Sequence, residues 1–161
     1  MVVMHASHPT PQYRRILVPT DGSIGTRNAA EAAAQLALVS GGCLIALHVH
    51  GTDAPGTAAS SGESGPILPL EAVTVETPEV DAATALDAVA AIARCYGIEV
   101  ETESVIDDKP ARAIAEAAES HDCDLIVLAS RGYGPLLSAL TASGASSLVV
   151  AECSVPVLVV R

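Results

Sequence analysis

The chain has 161 residues, half of them hydrophobic, and a formal net charge of −11. Its length is typical of one domain with a sizeable core, and no apolar run is long enough to span a membrane. Binding to nucleic acid or to an anionic membrane needs clustered Lys and Arg; only 8 such residues stand against 19 Asp and Glu, so both partner classes are excluded.

The first part of the chain predicts a tail, a strand, a helix and a second strand. Residues 1–12 lack the basic start and apolar centre of a signal peptide, so we expect a flexible tail on a cytoplasmic protein. Arg14–Thr20 is short, apolar and β-branched, which indicates a buried strand. An Ala-rich helix, capped by Ser23 or Thr26, is expected to run to about Val39 and to stop at Gly41 and Gly42. The second strand is Leu44–His50.

The middle of the chain predicts a loop followed by a helix. Gly51–Pro66 is rich in Gly, Ser and Pro, which favours a flexible loop. Thr77, Pro78 and Glu79 form a helix-start pattern of capping hydroxyl, first-turn Pro and acid, and Gly97 ends that helix. Its apolar stripe at helical spacing comprises Val80, Ala83, Leu86, Val89, Ala90 and Ala93.

The last part of the chain alternates strands and helices. Ile98–Ile106 alternates acidic residues with others, which predicts a strand with one solvated face near a sheet edge. A helix begins at Pro110, and the remaining elements are a strand at 124–129, a helix at 143–152 and a strand at 155–161. We therefore predict a single α/β domain over 13–161, an open five-stranded parallel sheet of Rossmann-like type with helices on both faces.

Two loops follow strands at the carboxyl edge of this sheet, where open α/β folds bind ligands. Asp21 comes directly after the first strand, and its carboxylate is placed to accept a hydrogen bond from a ribose hydroxyl; the alternative is a turn or helix-capping Asp. Ser130–Gly134 follows the fourth strand and supplies small residues and one cation, Arg131. A helix N-terminus after such a loop is an anion site, so the sequence indicates a nucleotide-sized site.

Catalytic and metal sites are not expected. The four cysteines form no C-x-x-C pair and show no ligand spacing with the five histidines, so we interpret them as small buried hydrophobes. A serine nucleophile needs a base within hydrogen-bond reach; His48, on the second strand, is the candidate, and we interpret it as a core-edge residue. The sequence contains neither a G-x-S-x-G elbow nor a P-loop.

At this point the chain resembles the universal stress protein family, from about Tyr13 to Arg161. The motifs that carry the resemblance are Ile16–Ser23, Leu47–Val49, Lys109–Ile114 with Cys123–Leu128, and Val155–Arg161. The resemblance implies a five-stranded parallel sheet, a homodimer and, in many members, bound ATP or AMP. It places Asp21 and Val49 near the nucleoside, and Gly132 with Ser143 near the phosphates.

The nucleotide-binding branch of the family carries Gly-x-x-Gly, a spacer, and Gly-Ser or Gly-Thr. Ala129–Gly132 and Ala142–Ser143 occupy these positions here, or Ser143–Gly144 when the spacing is counted back from Pro156. An added methyl is tolerated where φ is negative and phosphate is not in contact. The predicted cofactor-binding set is Pro19, Thr20, Asp21, Val49, Ala129, Arg131, Gly132, Gly134, Ala142, Ser143 and Gly144.

Three functions remain open on the sequence. The first is a stress-response regulatory protein, a homodimer through its C-terminal strand, that binds ATP or AMP as a switch and acts on an unidentified protein partner. The second is a dimeric interaction module of the same fold whose site is closed by Ala129 and Ala142. The third is an ATP-hydrolysing enzyme, although any hydrolysis is expected to be slow and incidental because no positioned base is visible.

Overall fold

The computed structural model describes residues 13–51, 81–129 and 153–161. The predicted tail, nearly all of the predicted 51–66 loop and the predicted helix at 143–152 lie outside these ranges. The elements are β1 (Arg15–Pro19), α1 (Ile24–Ser40), β2 (Cys43–His50), α2 (Ala82–Cys95), β3 (Val100–Ile106), α3 (Pro110–Ser120), β4 (Leu125–Ala129) and β5 (Val157–Val160). None of the helices in the described ranges is long and apolar enough to cross a membrane.

The five strands form one parallel sheet in the order β3-β2-β1-β4-β5. α1 and α2 connect β1 to β2 to β3 and pack against each other. α3 returns the chain past β2 and β1 to β4, so right-handed crossovers put it on the opposite face. This is the predicted α/β architecture, and β3 and β5 are the edge strands, as expected.

The core is built from the central strands and a small-residue helix. β1, β2 and β4 are buried nearly throughout, as strands covered on both faces must be. The buried side of α1 consists mainly of alanines, which allow the helix to lie close to the sheet. The helix ends in the predicted way, because Gly41 takes the left-handed conformation at φ 66°.

Some boundaries and faces differ from the prediction. α2 begins at Ala82 after the N-cap Asp81, five residues beyond the predicted start at Thr77; residues 77–80 lie outside the described ranges. Its buried face contains Ala85 in place of the predicted Ala83, which is exposed. The other described members of the stripe lie on the buried side as predicted, since Val89, Ala90 and Ala93 are buried and Leu86 packs against the core.

The acidic face of β3 is not the simple solvated face that alternation predicted. Glu103 lies 2.7 Å from Nε2 of His121, at the end of α3, and Glu101 pairs with Arg15 of β1. The opposite face carries the exposed residues Thr102 and Ser104. Glu101 and Glu103 therefore find basic partners in Arg15 and His121.

The cysteine prediction is correct in part. Cys123 is buried, Cys43 and Cys153 are half-buried, and Cys95 is exposed. Cys95 is the last residue of α2 and lies off the buried stripe that ends at Ala93, so the apolar character of the segment did not determine its side.

Candidate functional site

The carboxyl edge of the sheet is shaped by the loop between β1 and α1. Thr20 N–H donates to the carbonyl of Leu47 at 2.8 Å, which is the last β1–β2 bond. The chain then turns through Gly22 at φ 77°, a conformation that favours glycine. The turn is fastened by Gly22 N–H, which donates to Oγ1 of Thr20 at 3.2 Å. The residue between them, Asp21, is therefore held at the end of the strand.

The carboxylate of Asp21 is used on one side only. Oδ1 accepts a hydrogen bond from the N–H of Ser23 at 2.9 Å, a local turn contact. Oδ2 is buried and has no hydrogen-bond partner in the part of the chain that the structure describes. Buried polar atoms without a partner are rare and costly. The turn interpretation of Asp21 is therefore confirmed by Oδ1, and the ribose interpretation stays a prediction for Oδ2.

The first turn of α1 opens at the same edge. Oγ of Ser23 accepts from Thr26 N–H at 3.4 Å, and Thr26 Oγ1 donates to the Ser23 carbonyl at 2.8 Å. Ser23 is therefore the N-cap, one of the two residues predicted for that role. The positive end of the α1 dipole lies beside the Asp21 turn, which favours negative charge nearby.

Val49 lies one residue before the end of β2, beyond the last β1–β2 pair, Pro19 with Leu47. Its side chain is buried and packs in the core. Alternate residues of a strand direct their peptide groups to the same neighbour, and the Leu47 carbonyl is bonded to Thr20, directly after β1. The N–H and C=O of Val49 therefore point to the side where β1 has already ended, which suits contact with a planar base.

His48 is buried, with 8% of its surface exposed, and its Nδ1 lies 2.8 Å from the carbonyl of Thr20. Its ring meets that of His50 edge to face at 4.5 Å. Burial lowers the pKa of His48 below its usual value, so the neutral ring is favoured. The burial that the sequence predicted is confirmed, but its contact with the β1–α1 loop was missed; the available signal was that a buried ring in an apolar strand needs a polar partner.

The adjacent loop between β3 and α3 is ordered by Asp107. Its N–H donates to the His50 carbonyl at 2.9 Å, and its carboxylate accepts from Lys109 N–H and from Arg112, each at 2.7 Å. The Arg112 hydrogen bond, with help from Lys109 N–H, lowers the pKa of Asp107. Because the guanidinium of Arg112 is paired with the carboxylate of Asp107, its charge is balanced within the chain, and we do not assign it to a separate anion site.

The structure brings part of the predicted binding set together. Pro19, Thr20, Asp21, Val49 and Ala129 all lie at the carboxyl ends of β1, β2 and β4. Ala129 is buried and belongs to β4, and among described non-glycine residues only Asp122 has positive φ. The methyl group of Ala129 therefore stands where the family pattern has a glycine hydrogen, and the backbone there is not strained. The other predicted residues, Arg131, Gly132, Gly134, Ala142, Ser143 and Gly144, lie outside the described ranges.

Among the described residues, no cluster of three or more His, Cys, Asp or Glu side chains could hold a metal ion. Ser23, considered as a nucleophile, accepts from a backbone N–H of its own helix, and His48 donates to a carbonyl. These two side chains therefore serve the local backbone.

Comparison with known proteins agrees with this architecture. The model of the universal stress protein family matches residues 12–161. A universal stress protein of Methanocaldococcus jannaschii is 32% identical over 149 residues, 92% of this chain and 82% of that protein.

Two solved structures have the same fold. A universal stress protein in complex with cAMP superimposes with a TM-score of 0.65 at 20% identity, over 93% of this chain and 98% of that one. The Archaeoglobus fulgidus universal stress protein in complex with dAMP gives a TM-score of 0.62 at 20% identity, over 93% and 99%. With the sheet order, the family match and the archaeal relative in agreement, the chain belongs to the universal stress protein family.

Proposed function

We propose that this stress-response protein binds an adenine nucleotide, ATP or AMP, at the carboxyl edge of its sheet. Oδ2 of Asp21 accepts a hydrogen bond from a ribose hydroxyl, and the peptide group of Val49 contacts the base. Arg131, Gly132 and Ser143 are assigned to the phosphates. Two structural neighbours are complexes with cAMP and dAMP, which supports this ligand class.

The observation that carries the proposal is the unpartnered oxygen of Asp21. A carboxylate that served only as a turn residue would be expected to face water with its second oxygen. Here that oxygen is buried and lacks a partner in the described ranges, and leaving such an atom unsatisfied costs on the order of 1–3 kcal/mol. A ligand hydroxyl would remove that cost, so the arrangement favours a bound state.

We further propose that the protein is a cytoplasmic regulator and not an enzyme. Occupancy would change the surface formed by the loops after β1, β2 and β4, and a protein partner would read that change. Hydrolysis would be slow, because His48, the nearest base, is engaged by a carbonyl.

A homodimer through β5 is part of the proposal. β5 is an edge strand, and Leu158 and Val159 are 39% and 43% exposed. An exposed apolar edge strand is a site for pairing with another chain. The same observation supports the alternative, a dimeric interaction module that binds no nucleotide. Light scattering at micromolar concentration should give the mass of a dimer, and Val159→Lys should shift it to the monomer.

The direct test is to denature the purified protein, identify any released nucleotide, and titrate ATP and AMP by calorimetry. Released or titrated adenine nucleotide, lost in Gly132→Asp, would support the proposal. If no nucleotide is released and millimolar ATP gives no heat, the proposed binding is wrong, and the alternative module is favoured.

A further inference from the structure

The end of β1 is set by a side chain of the neighbouring strand. A carbonyl oxygen can only accept a hydrogen bond, so the 2.8 Å contact requires that Nδ1 of His48 carries a proton and donates to Thr20 O. In a parallel ladder that continued past Leu47, this carbonyl would be the acceptor for Val49 N–H. The imidazole takes the acceptor instead, at the point where the chain leaves the sheet.

We propose that His48 is a positioning residue of the nucleotide site: by holding the Thr20 carbonyl, it fixes the turn that presents Asp21 and leaves the Val49 peptide group to the ligand. The inference rests on the proposed function for the identity of the ligand, but the turn itself exists in the free protein. In this role the His48 ring does not touch the ligand; it acts through the backbone carbonyl of Thr20.

The surroundings of the ring suit a fixed, neutral donor. The Thr20 side chain lies on the α1 face of the sheet, since its Oγ1 contacts Thr26 Oγ1 at 3.3 Å. The pairing of Pro19 with Leu47 places His48 of β2 at the level of Thr20. The titratable groups that influence the ring are His50, Asp21 and Asp81. A neutral ring with its proton on Nδ1 donates to the Thr20 carbonyl and adds no positive charge beside His50, so the contact is maintained.

The strand supplies its own matched control. His50 is two residues further along β2, on the same face, and its Nε2 lies 2.8 Å from Oγ of Ser104 on β3. It therefore holds β2 on its β3 side, and within the described ranges no hydrogen bond joins it to the β1–α1 loop. Replacing His50 removes a ring of the same size while leaving the Thr20 carbonyl engaged.

The substitutions are chosen by the position of the donor. His48→Leu fills the space without a donor. His48→Asn places an amide N–H near the Nδ1 position, and His48→Gln extends its amide toward the Nε2 position. His50→Leu is the control. Each variant is first checked for folding by circular dichroism, and the Asn and Gln pair alone suffices for the test if the leucine variant does not fold.

Two measurements are made on each variant. Amide hydrogen exchange of Gly22 and Ser23 in the nucleotide-free protein reports the turn, and calorimetric titration with AMP reports the site. Loss of one ordinary hydrogen bond should raise exchange about five- to tenfold in the Leu and Gln variants and weaken AMP by a similar factor. The Asn variant and His50→Leu should stay close to wild type in both.

The outcomes separate the two hypotheses. Unchanged exchange at Gly22 and Ser23 in His48→Leu, or in His48→Gln if the leucine variant does not fold, would overturn the positioning role, as would an Asn variant no better than Gln. If wild-type protein binds no AMP but exchange follows the expected order, the positioning role stands and the proposed nucleotide function fails.

Discussion

Replacing Asp21 by asparagine separates the two uses of its carboxylate. The Asn side-chain oxygen can still accept from Ser23 N–H, at 2.9 Å in the structure, so the turn is retained. The buried Oδ2 becomes an uncharged amide group, and the ligand loses a hydrogen bond to a charged acceptor. Such bonds contribute about 1.5–3 kcal/mol against about 0.5–1.5 kcal/mol for neutral ones. The difference of about 1–1.5 kcal/mol predicts AMP binding weaker by about five- to tenfold.

The assay is calorimetric titration of AMP, with urea unfolding of the free protein in parallel. Asp87→Asn is the matched control, because Asp87 is exposed on α2 and the charge change is identical. Asp21→Ala removes both oxygens, so it should weaken AMP by about 10- to 150-fold. In the free protein, loss of the bond from Ser23 N–H is offset by removal of the unpartnered Oδ2, so the free energy of unfolding should change little. If Asp21→Asn binds AMP as tightly as Asp87→Asn does, the assignment of Oδ2 to the ribose is refuted.

Three further predictions concern packing, pH and thiol chemistry. Gly42→Ala would place a Cβ 2.6 Å from the backbone oxygen of Tyr13, so urea unfolding should show a loss of about 1–3 kcal/mol; an unchanged midpoint would contradict the close approach. The lowered pKa of His48 means that its contribution to stability is present above pH 6.5 and is lost as pH falls toward the folded-state pKa. The slope there should reach at most about 1.4 kcal/mol per pH unit and flatten in His48→Asn. An alkylating agent should modify exposed Cys95 well before Cys123, because burial raises the pKa of Cys123 to about 12; equal rates by mass spectrometry would count against this.

The fold could be predicted wherever local signals and burial agree. Gly41 ends α1 in the left-handed conformation and Ser23 begins it, as their residue types indicate. The start of α2 was predicted wrongly because Thr77 begins a good local pattern, yet the helix begins at Ala82. Helix-start signals are weak beside the packing of a helix face, and α2 packs on α1 as well as on the sheet.

The site could be predicted only as far as strand ends define it. Asp21 and Val49 follow from their places at the carboxyl edge and from the family resemblance. The role of His48 depends on register: Pro19 pairs with Leu47, which brings Thr20, the residue after β1, beside the histidine. Sequence periodicity predicts that the ring is buried, but it does not state which carbonyl the ring meets. A histidine in a buried strand therefore indicates a polar partner, and the end of the adjacent strand is where unpaired carbonyls occur; the two facts together point to the loop that presents Asp21.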